Sequence, residues 1–144
     1  MSGADDNANP TAGPAILGVN HITVRTSHLQ QSLDFYTQVL NMRMVHRGQR
    51  DVYLEAGSLW LCLLDRPEEI PVSSAAAGGV DHIALSVTEG DFREFEQRVR
   101  AAGCRIEREP VQRGDGWSFC FRSPEGVLWE IHTGTLHGRL ANWK

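Results

Sequence analysis

Two histidines and one glutamate are the residues whose types and sequence context best fit metal chemistry. His21 and His82 occupy equivalent places in an internal repeat, because residues 18–24 (GVNHITV) recur as residues 79–85 (GVDHIAL). Glu130 lies in a β-rich run near the C-terminus. Two imidazoles and one carboxylate hold a divalent cation and leave positions open for water or a substrate, whereas a closed structural zinc site has four protein ligands. The sequence therefore predicts a metal site made by His21, His82 and Glu130.

A competing ligand is His132, which shares a strand face with Glu130 because side chains alternate along a strand. Glu130 is preferred, since its apolar neighbours Trp129 and Ile131 would anchor it where an unpaired carboxylate is costly. The remaining histidines are expected on the solvated surface: His28, His46 and His137.

Four further residues have a structural and a functional interpretation each. Asp51 precedes a strand and is expected to shape a turn, although a carboxylate at a pocket rim also serves as a general base. Arg139 near the C-terminus could bind an anion through its planar guanidinium. Trp60 and Cys62 share a strand face, where core packing and ligand contact are both open.

Each half of the repeat has the pattern of one βαβββ module. A β-rich run is followed by an amphipathic helix, with Leu29, Leu33, Tyr36 and Leu40 on one face of the first helix and Phe92, Phe95, Val99 and Ala102 on one face of the second. Ser27 and Gln30 predict a capping box for the first helix, and Gly103 predicts the end of the second. Further strands are expected over residues 42–47, 52–56, 59–64, 105–109, 117–122 and 127–133. The predicted fold class is α+β, with two paired modules.

The modules predict the organisation of the chain. Residues 1–15 are small, polar and acidic and are expected to form a disordered tail. Residues 16–65 form the first module and residues 79–144 the second, which ends in a short helix. Between them, residues 66–78 carry prolines and a Ser/Ala/Gly run typical of a linker.

Composition excludes several classes of function. The net charge is −4, so no general cationic field attracts nucleic acid or acidic lipid. No apolar run approaches the length of a membrane span. The three cysteines form no CxxC pair, which argues against a disulfide framework and for reduced thiols in the cytoplasm.

Several motifs resemble the fosfomycin-resistance proteins of the vicinal oxygen chelate (glyoxalase-like) superfamily. They are NHIT at 20–23, GSLWLCL at 57–63, HIA at 82–84, SFCFRSPEG at 118–126 and EIHTGTLHGRL at 130–140. The resemblance implies an incomplete barrel in a domain-swapped homodimer. It also implies Mn²⁺, with Zn²⁺, Ni²⁺ or Fe²⁺ as alternatives, held by His21 of one subunit and by His82 and Glu130 of the other.

The same resemblance implies an activity and a set of site residues. The metal acts as a Lewis acid on the epoxide oxygen of fosfomycin, and a small thiol such as glutathione opens the ring. The implied roles are contact with the substrate oxygen for Thr23, a pocket wall for Trp60, the thiol side for Tyr53, a polar substrate neighbour for Ser118 and phosphonate binding for Arg139.

The chain also departs from the glutathione-dependent members of that family. Pro110 stands where they have a phosphonate-binding lysine, Cys120 where they have a tyrosine, and Gly114 where they have a serine of the potassium loop. Three arginines could supply the missing charge: Arg108, Arg113 and Arg122. Hydrolytic ring opening with Asp51 as base is therefore an alternative, as are a glyoxalase or dioxygenase reaction on this scaffold and a metal-free drug-binding protein.

Overall fold

The computed structural model describes residues 12–69 and 78–141. They form two four-stranded sheets. The strands are β1 (His21–Thr26), β2 (Arg43–Arg47), β3 (Asp51–Ala56), β4 (Leu59–Asp65), β5 (Ile83–Ser86), β6 (Ile106–Arg113), β7 (Gly116–Arg122) and β8 (Leu128–His132). The helices are α1 (Leu29–Asp34), continued by a π-helical turn over Phe35–Val39, α2 (Glu89–Ala101) and α3 (Leu136–Leu140), and a 3₁₀ turn covers Pro67–Glu69.

Both sheets have the same topology. Their strand orders are β1-β4-β3-β2 and β5-β8-β7-β6, and in each the first strand runs parallel to the last while the other neighbours are antiparallel. This confirms the predicted α+β class with two βαβββ modules. Residues 1–11 of the predicted tail and 70–77 of the predicted linker lie outside the described residues.

One hydrophobic core joins the two modules. The Phe35 and Phe121 rings lie 6.1 Å apart between centroids, and the Tyr36 and Trp129 rings 5.9 Å apart. The indole Nε1 of Trp129 donates to the Tyr36 hydroxyl at 3.1 Å. Tyr36 and Trp129 are fully buried. The first helix therefore packs against strands of the second module, and the first sheet keeps its other face open, with the exposed side chains of His21, Thr23 and Arg25.

The start of α1 differs from the prediction. The N-cap residue is His28, no side chain caps the helix, and the capping box of Ser27 and Gln30 is wrong. The Thr26 hydroxyl instead accepts the His28 backbone N–H at 3.0 Å and hydrogen-bonds the Ser32 hydroxyl at 2.8 Å. Because Thr26 is still in the strand, this polar contact ties the helix to β1.

The other boundaries of helices and strands agree closely with the prediction. Two differences, at His82 and in β6, concern the site. Gly103 follows α2 with a φ of 75°, which confirms the predicted helix end. His82 lies immediately before β5, although the sequence placed it in the strand. Strand β6 extends through Pro110, and its pairing with β7 is irregular between Arg108 and Val111. Proline has no N–H for the ladder, which accounts for that irregularity. Within residues 12–69 and 78–141, no helix is long and apolar enough to cross a membrane.

Candidate metal centre

The two repeated histidines have the same local geometry. His21 Nδ1 lies 2.7 Å from the side-chain oxygen of Asn20, and His82 Nδ1 lies 2.8 Å from Asp81 Oδ2. An amide or carboxylate oxygen only accepts, so Nδ1 carries the proton and Nε2 keeps its lone pair. Metal-binding histidines are typically held in this way. Sequence reasoning missed Asn20 and Asp81, although the Asn or Asp before each repeated histidine was the available signal.

His82 and Glu130 come together in the second module. His82 Nε2 lies 3.7 Å from Glu130 Oε1, because β5 pairs with β8 in a register that sets Ala84 beside Glu130. Glu130 is 9% exposed, and the Cys120 thiol donates to its Oε1 at 3.6 Å. A buried carboxylate is stable only with strong partners. A divalent cation between His82 and Glu130 would be such a partner, and imidazole with carboxylate suits Mn²⁺, Fe²⁺ or Zn²⁺.

His21 lies on the other sheet. Its ring stacks on Trp60, with 3.9 Å between centroids and 16° between planes. Among the described residues, no three or more His, Cys, Asp or Glu side chains come close enough together to hold a metal. A single chain therefore brings together two of the three predicted ligands, and the set of three remains a prediction.

The geometry of His132 favours Glu130 as the ligand. The backbone N–H of Gly134 donates to His132 Nδ1 at 2.9 Å. In the neutral ring the proton then sits on Nε2, so neither nitrogen has a lone pair left for a metal.

An electrostatic consequence of this geometry appears at Asp81. The hydrogen bond from His82 lowers the pKa of the Asp81 carboxyl, and the charges of Arg108 and Arg122 lower it further to a smaller degree. Asp81 therefore stays ionised and keeps its acceptor for the His82 ring.

The open face of the first sheet has three rows of side chains, set by the register of β1, β4 and β3. The rows are His21, Trp60 and Glu55, then Thr23, Cys62 and Tyr53, then Arg25, Leu64 and Asp51. Five residues that the sequence singled out thus share a face with His21: Thr23, Asp51, Tyr53, Trp60 and Cys62. Sequence reasoning missed Arg25, although its spacing of two residues from Thr23 and four from His21 was the available signal.

Tyr53 and Asp51 differ in what their surroundings allow. Neighbouring Cys62 and, to a smaller degree, Asp51 raise the pKa of Tyr53, so its hydroxyl stays protonated and can donate. Asp51 closes a turn, because its carbonyl accepts the Gly48 N–H at 2.9 Å and its carboxylate fills the space that a Cβ at Gly48 would need. The turn interpretation of Asp51 is therefore supported by contacts.

On the second sheet, Ser118 and Cys120 lie on the strand that pairs with the strand of the candidate ligand Glu130. Ser118 pairs with His132 and Cys120 with Glu130. Ser118 is 1% exposed, and within the described part of the chain its hydroxyl has no hydrogen-bond partner. Such a group costs about 1–3 kcal/mol, which suggests a place for a ligand atom. Burial and the nearby Glu130 raise the pKa of Cys120 to about 11, so it is a neutral thiol.

Arg139 is held on α3 against the turn between β6 and β7. Asp115 accepts from the backbone N–H of Thr135 at 3.2 Å and from its hydroxyl at 3.1 Å, and Thr135 caps α3. A Cβ at Gly114, whose φ is 61°, would lie 2.5 Å from the Arg139 Cα. The turn and the helix therefore touch backbone to backbone. Asp115 was not recognised from the sequence, although the surrounding Gly-Asp-Gly pattern was visible.

Comparison with known proteins shows the family of the chain. The profile of the Glyoxalase/Bleomycin resistance protein/Dioxygenase superfamily matches residues 18–131. Glutathione transferase FosA of Serratia marcescens is 34% identical over 125 residues, covering 85% of each chain. Metallothiol transferase FosB of Shouchella clausii is 34% identical over 133 residues, covering 88% of this chain and 87% of its own.

A solved structure extends the similarity. A variant of the fosfomycin resistance protein FosX from Listeria monocytogenes, in complex with Mn(II) and 1S,2S-dihydroxypropylphosphonic acid, superposes with a TM-score of 0.70 at 25% identity. It covers 90% of this chain and 100% of its own. The chain belongs to the glyoxalase-like superfamily that the profile describes and, within it, to the fosfomycin resistance protein family.

Proposed function

We propose that this protein is a metal-dependent enzyme that inactivates fosfomycin by adding a small thiol to its epoxide. The observation that carries the proposal is the pair of His82 and Glu130, whose Nε2 and Oε1 atoms lie 3.7 Å apart. FosA and FosB, at 34% identity, are named as a glutathione transferase and a metallothiol transferase. Fosfomycin is a three-carbon phosphonate epoxide, so its dianion and the alkoxide formed on ring opening need cationic partners.

The third ligand in this proposal is His21 from a second copy of the chain. The Nε2 lone pair of His21 is free, yet within one chain His21 is on the opposite sheet from His82. A twofold homodimer would create two equivalent sites, each with His21 from one subunit and with His82 and Glu130 from the other. Exposed apolar residues that such a dimer would cover lie within or next to the repeats: Leu17, Val19 and Val80.

Mn²⁺ is the proposed metal, because the FosX variant contains Mn(II) and the donor set suits that ion. When bound, the metal would withdraw charge from the epoxide oxygen. Thr23 follows His21 by two residues on the same strand face and is suited to hydrogen-bond that oxygen. Ser118 and Arg139 are assigned to the phosphonate, Ser118 through its unpaired hydroxyl and Arg139 through its guanidinium.

The thiol would approach from the side of Tyr53, which shares a row with Thr23. Sulfur attacks an epoxide carbon, the carbon–oxygen bond breaks, and the oxygen takes up the proton released by the thiol. Because the pKa of Tyr53 is raised, its hydroxyl can donate a hydrogen bond to the attacking sulfur. Trp60, stacked on His21, would form the wall of this pocket.

Hydrolysis is the second candidate, with Asp51 as the base that activates water. It is favoured by the position of Asp51 on the open face, one row beyond Tyr53. The product would then be a diol, with no thiol consumed. The contacts of Asp51 with Gly48 give this residue a structural role as well.

Mass spectrometry of the products tests both candidates. Mn²⁺-loaded protein is incubated with fosfomycin and, in separate reactions, with glutathione, cysteine, bacillithiol or no thiol. We expect a thiol adduct, and expect Glu130→Ala to abolish it. A diol formed without thiol, and lost in Asp51→Asn, would establish the hydrolase instead. No loss of fosfomycin under any condition would contradict both.

A further inference from the structure

A polar cavity of about 460 Å³ continues from the row of Thr23 toward the far end of β1. Its volume is within the range of small-molecule sites. The polar and charged side chains that line it include Thr23, Arg25, His28, Gln31 and Glu125. It therefore contains a guanidinium and a carboxylate, and none of the roles proposed above uses either.

We propose that this cavity binds the α-amino-acid group of the thiol co-substrate, with Arg25 taking the carboxylate. This inference rests on the proposed function in that the bound thiol is a reactant. The chemical class is a peptide-sized thiol that carries a zwitterionic amino-acid group, such as glutathione.

Arg25 lies too far along β1 from His21 to contact a molecule as small as the epoxide at the metal. His21, Thr23 and Arg25 share one face and are all exposed. At roughly 3.3 Å per residue, the Cα of Arg25 lies about 13 Å from that of His21. An extended peptide spans about 3.3–3.6 Å per residue, so a peptide-sized thiol covers much of this distance while a three-carbon epoxide does not. The guanidinium is therefore placed for the co-substrate.

The ion pair of Arg25 within the chain is weak enough to be exchanged. Its Nε lies 3.8 Å from Glu69 Oε2, and the two side chains are 47% and 45% exposed. Glu69 also lies 3.6 Å from Arg66 Nη1, so it keeps a cationic partner when Arg25 turns away. Exposed pairs of this kind contribute little to stability. A ligand carboxylate can replace Glu69 and form a bidentate contact with the guanidinium.

Glu125 provides the complementary charge in a fixed position. The Ser32 hydroxyl donates to Glu125 Oε2 at 2.8 Å, and the Tyr36 hydroxyl donates to Oε1. A carboxylate has about four acceptor sites, so Glu125 can accept further hydrogen bonds from an ammonium group. An α-amino-acid group brings a carboxylate for Arg25 and an ammonium for Glu125, whereas a phosphonate brings only an anion.

Direct binding tests the inference without requiring turnover. S-methylglutathione, which cannot attack the epoxide, is titrated calorimetrically into Mn²⁺-loaded protein. We expect Arg25→Ala to weaken binding roughly tenfold, as for loss of one charge-assisted contact, and Arg25→Lys to recover part of it. Arg93→Ala is the matched control, because Arg93 is an exposed arginine on α2 outside the cavity lining. No binding to the wild type, or equal affinity for wild type and Arg25→Ala, would overturn the inference.

A panel of reactants identifies the group that Arg25 recognises. Cysteamine has the ammonium and the thiol but no carboxylate, so Arg25→Ala should raise KM for glutathione and leave KM for cysteamine and for fosfomycin unchanged. A raised KM for fosfomycin alone would assign Arg25 to the phosphonate and overturn the proposal. If the wild type bound S-methylglutathione through Arg25 yet consumed no fosfomycin, the proposed function would fail while the cavity assignment stood.

Discussion

Loss of the Asp81 carboxylate should weaken metal binding without unfolding the protein. Asp81 Oδ2 accepts from His82 Nδ1 at 2.8 Å, within the normal hydrogen-bond range, and directs Nε2 toward Glu130. Losing such a partner typically costs ten- to a hundredfold in metal affinity. Because the Asp81 side chain is 82% exposed, water can take its place in part. We therefore expect Asp81→Ala to weaken Mn²⁺ binding about tenfold, the lower end of that range.

Electron paramagnetic resonance of free Mn²⁺ measures this change directly. Asp81→Asn keeps an oxygen acceptor of the kind that Asn20 offers to His21, so it should retain most of the affinity. Asn20→Ala should reproduce the loss in the first module if His21 is also a ligand. Unchanged affinity in Asp81→Ala would refute the orienting role. A loss in Asp81→Asn as large as in Asp81→Ala would show that the charge matters and the orientation does not.

Two further predictions concern stability. Burial and Glu125 raise the pKa of Tyr36 above its usual 10.0, so the folded state keeps a proton that the unfolded chain releases. The stability that this shift contributes is fully present below about pH 10 and is lost above it, so the free energy of unfolding in urea should fall less steeply above pH 10 in Tyr36→Phe, and this variant should cost about 1–3 kcal/mol at neutral pH. Gly114→Ala, which would place a Cβ 2.5 Å from the Arg139 Cα, should cost about 1–3 kcal/mol in thermal unfolding and weaken binding of dihydroxypropylphosphonate. Gly126→Ala is its control, since Gly126 also has a positive φ but nothing within 4 Å, and should leave phosphonate binding intact.

The repeated motif predicted much of the fold because two local patterns agreed. Apolar residues at helical spacing, such as Leu29 and Leu33, are buried as expected. Side chains alternate along the strands, so Thr23 lies on the same face as His21. The cap of α1 was missed because Thr26, still in the strand, supplies the polar contact that the sequence assigned to Ser27. Helix-capping patterns consider the residues at the helix start, so they do not predict a contact from a side chain in the preceding strand.

The candidate site was predicted in its parts and not in its assembly. The sequence identified Glu130 over His132, and the hydrogen bond from Gly134 to His132 supports that choice. The two predicted modules already separated His21 from His82, but the residue pattern alone did not show how the modules would meet, because their arrangement depends on long-range packing such as that between Tyr36 and Trp129. Strand alternation predicts faces, but it carries no information on which faces meet.

Subunit complementation tests the shared metal site most directly. His21→Ala and His82→Ala chains are prepared separately, each expected to bind no Mn²⁺ tightly, then unfolded, mixed in equal amounts and refolded. In a twofold dimer with shared ligands, half of the dimers are mixed and each of these has one intact site, so about a quarter of the wild-type Mn²⁺ binding should return. Binding that stays at the level of the separate variants would contradict a site assembled from His21 of one subunit and His82 of another.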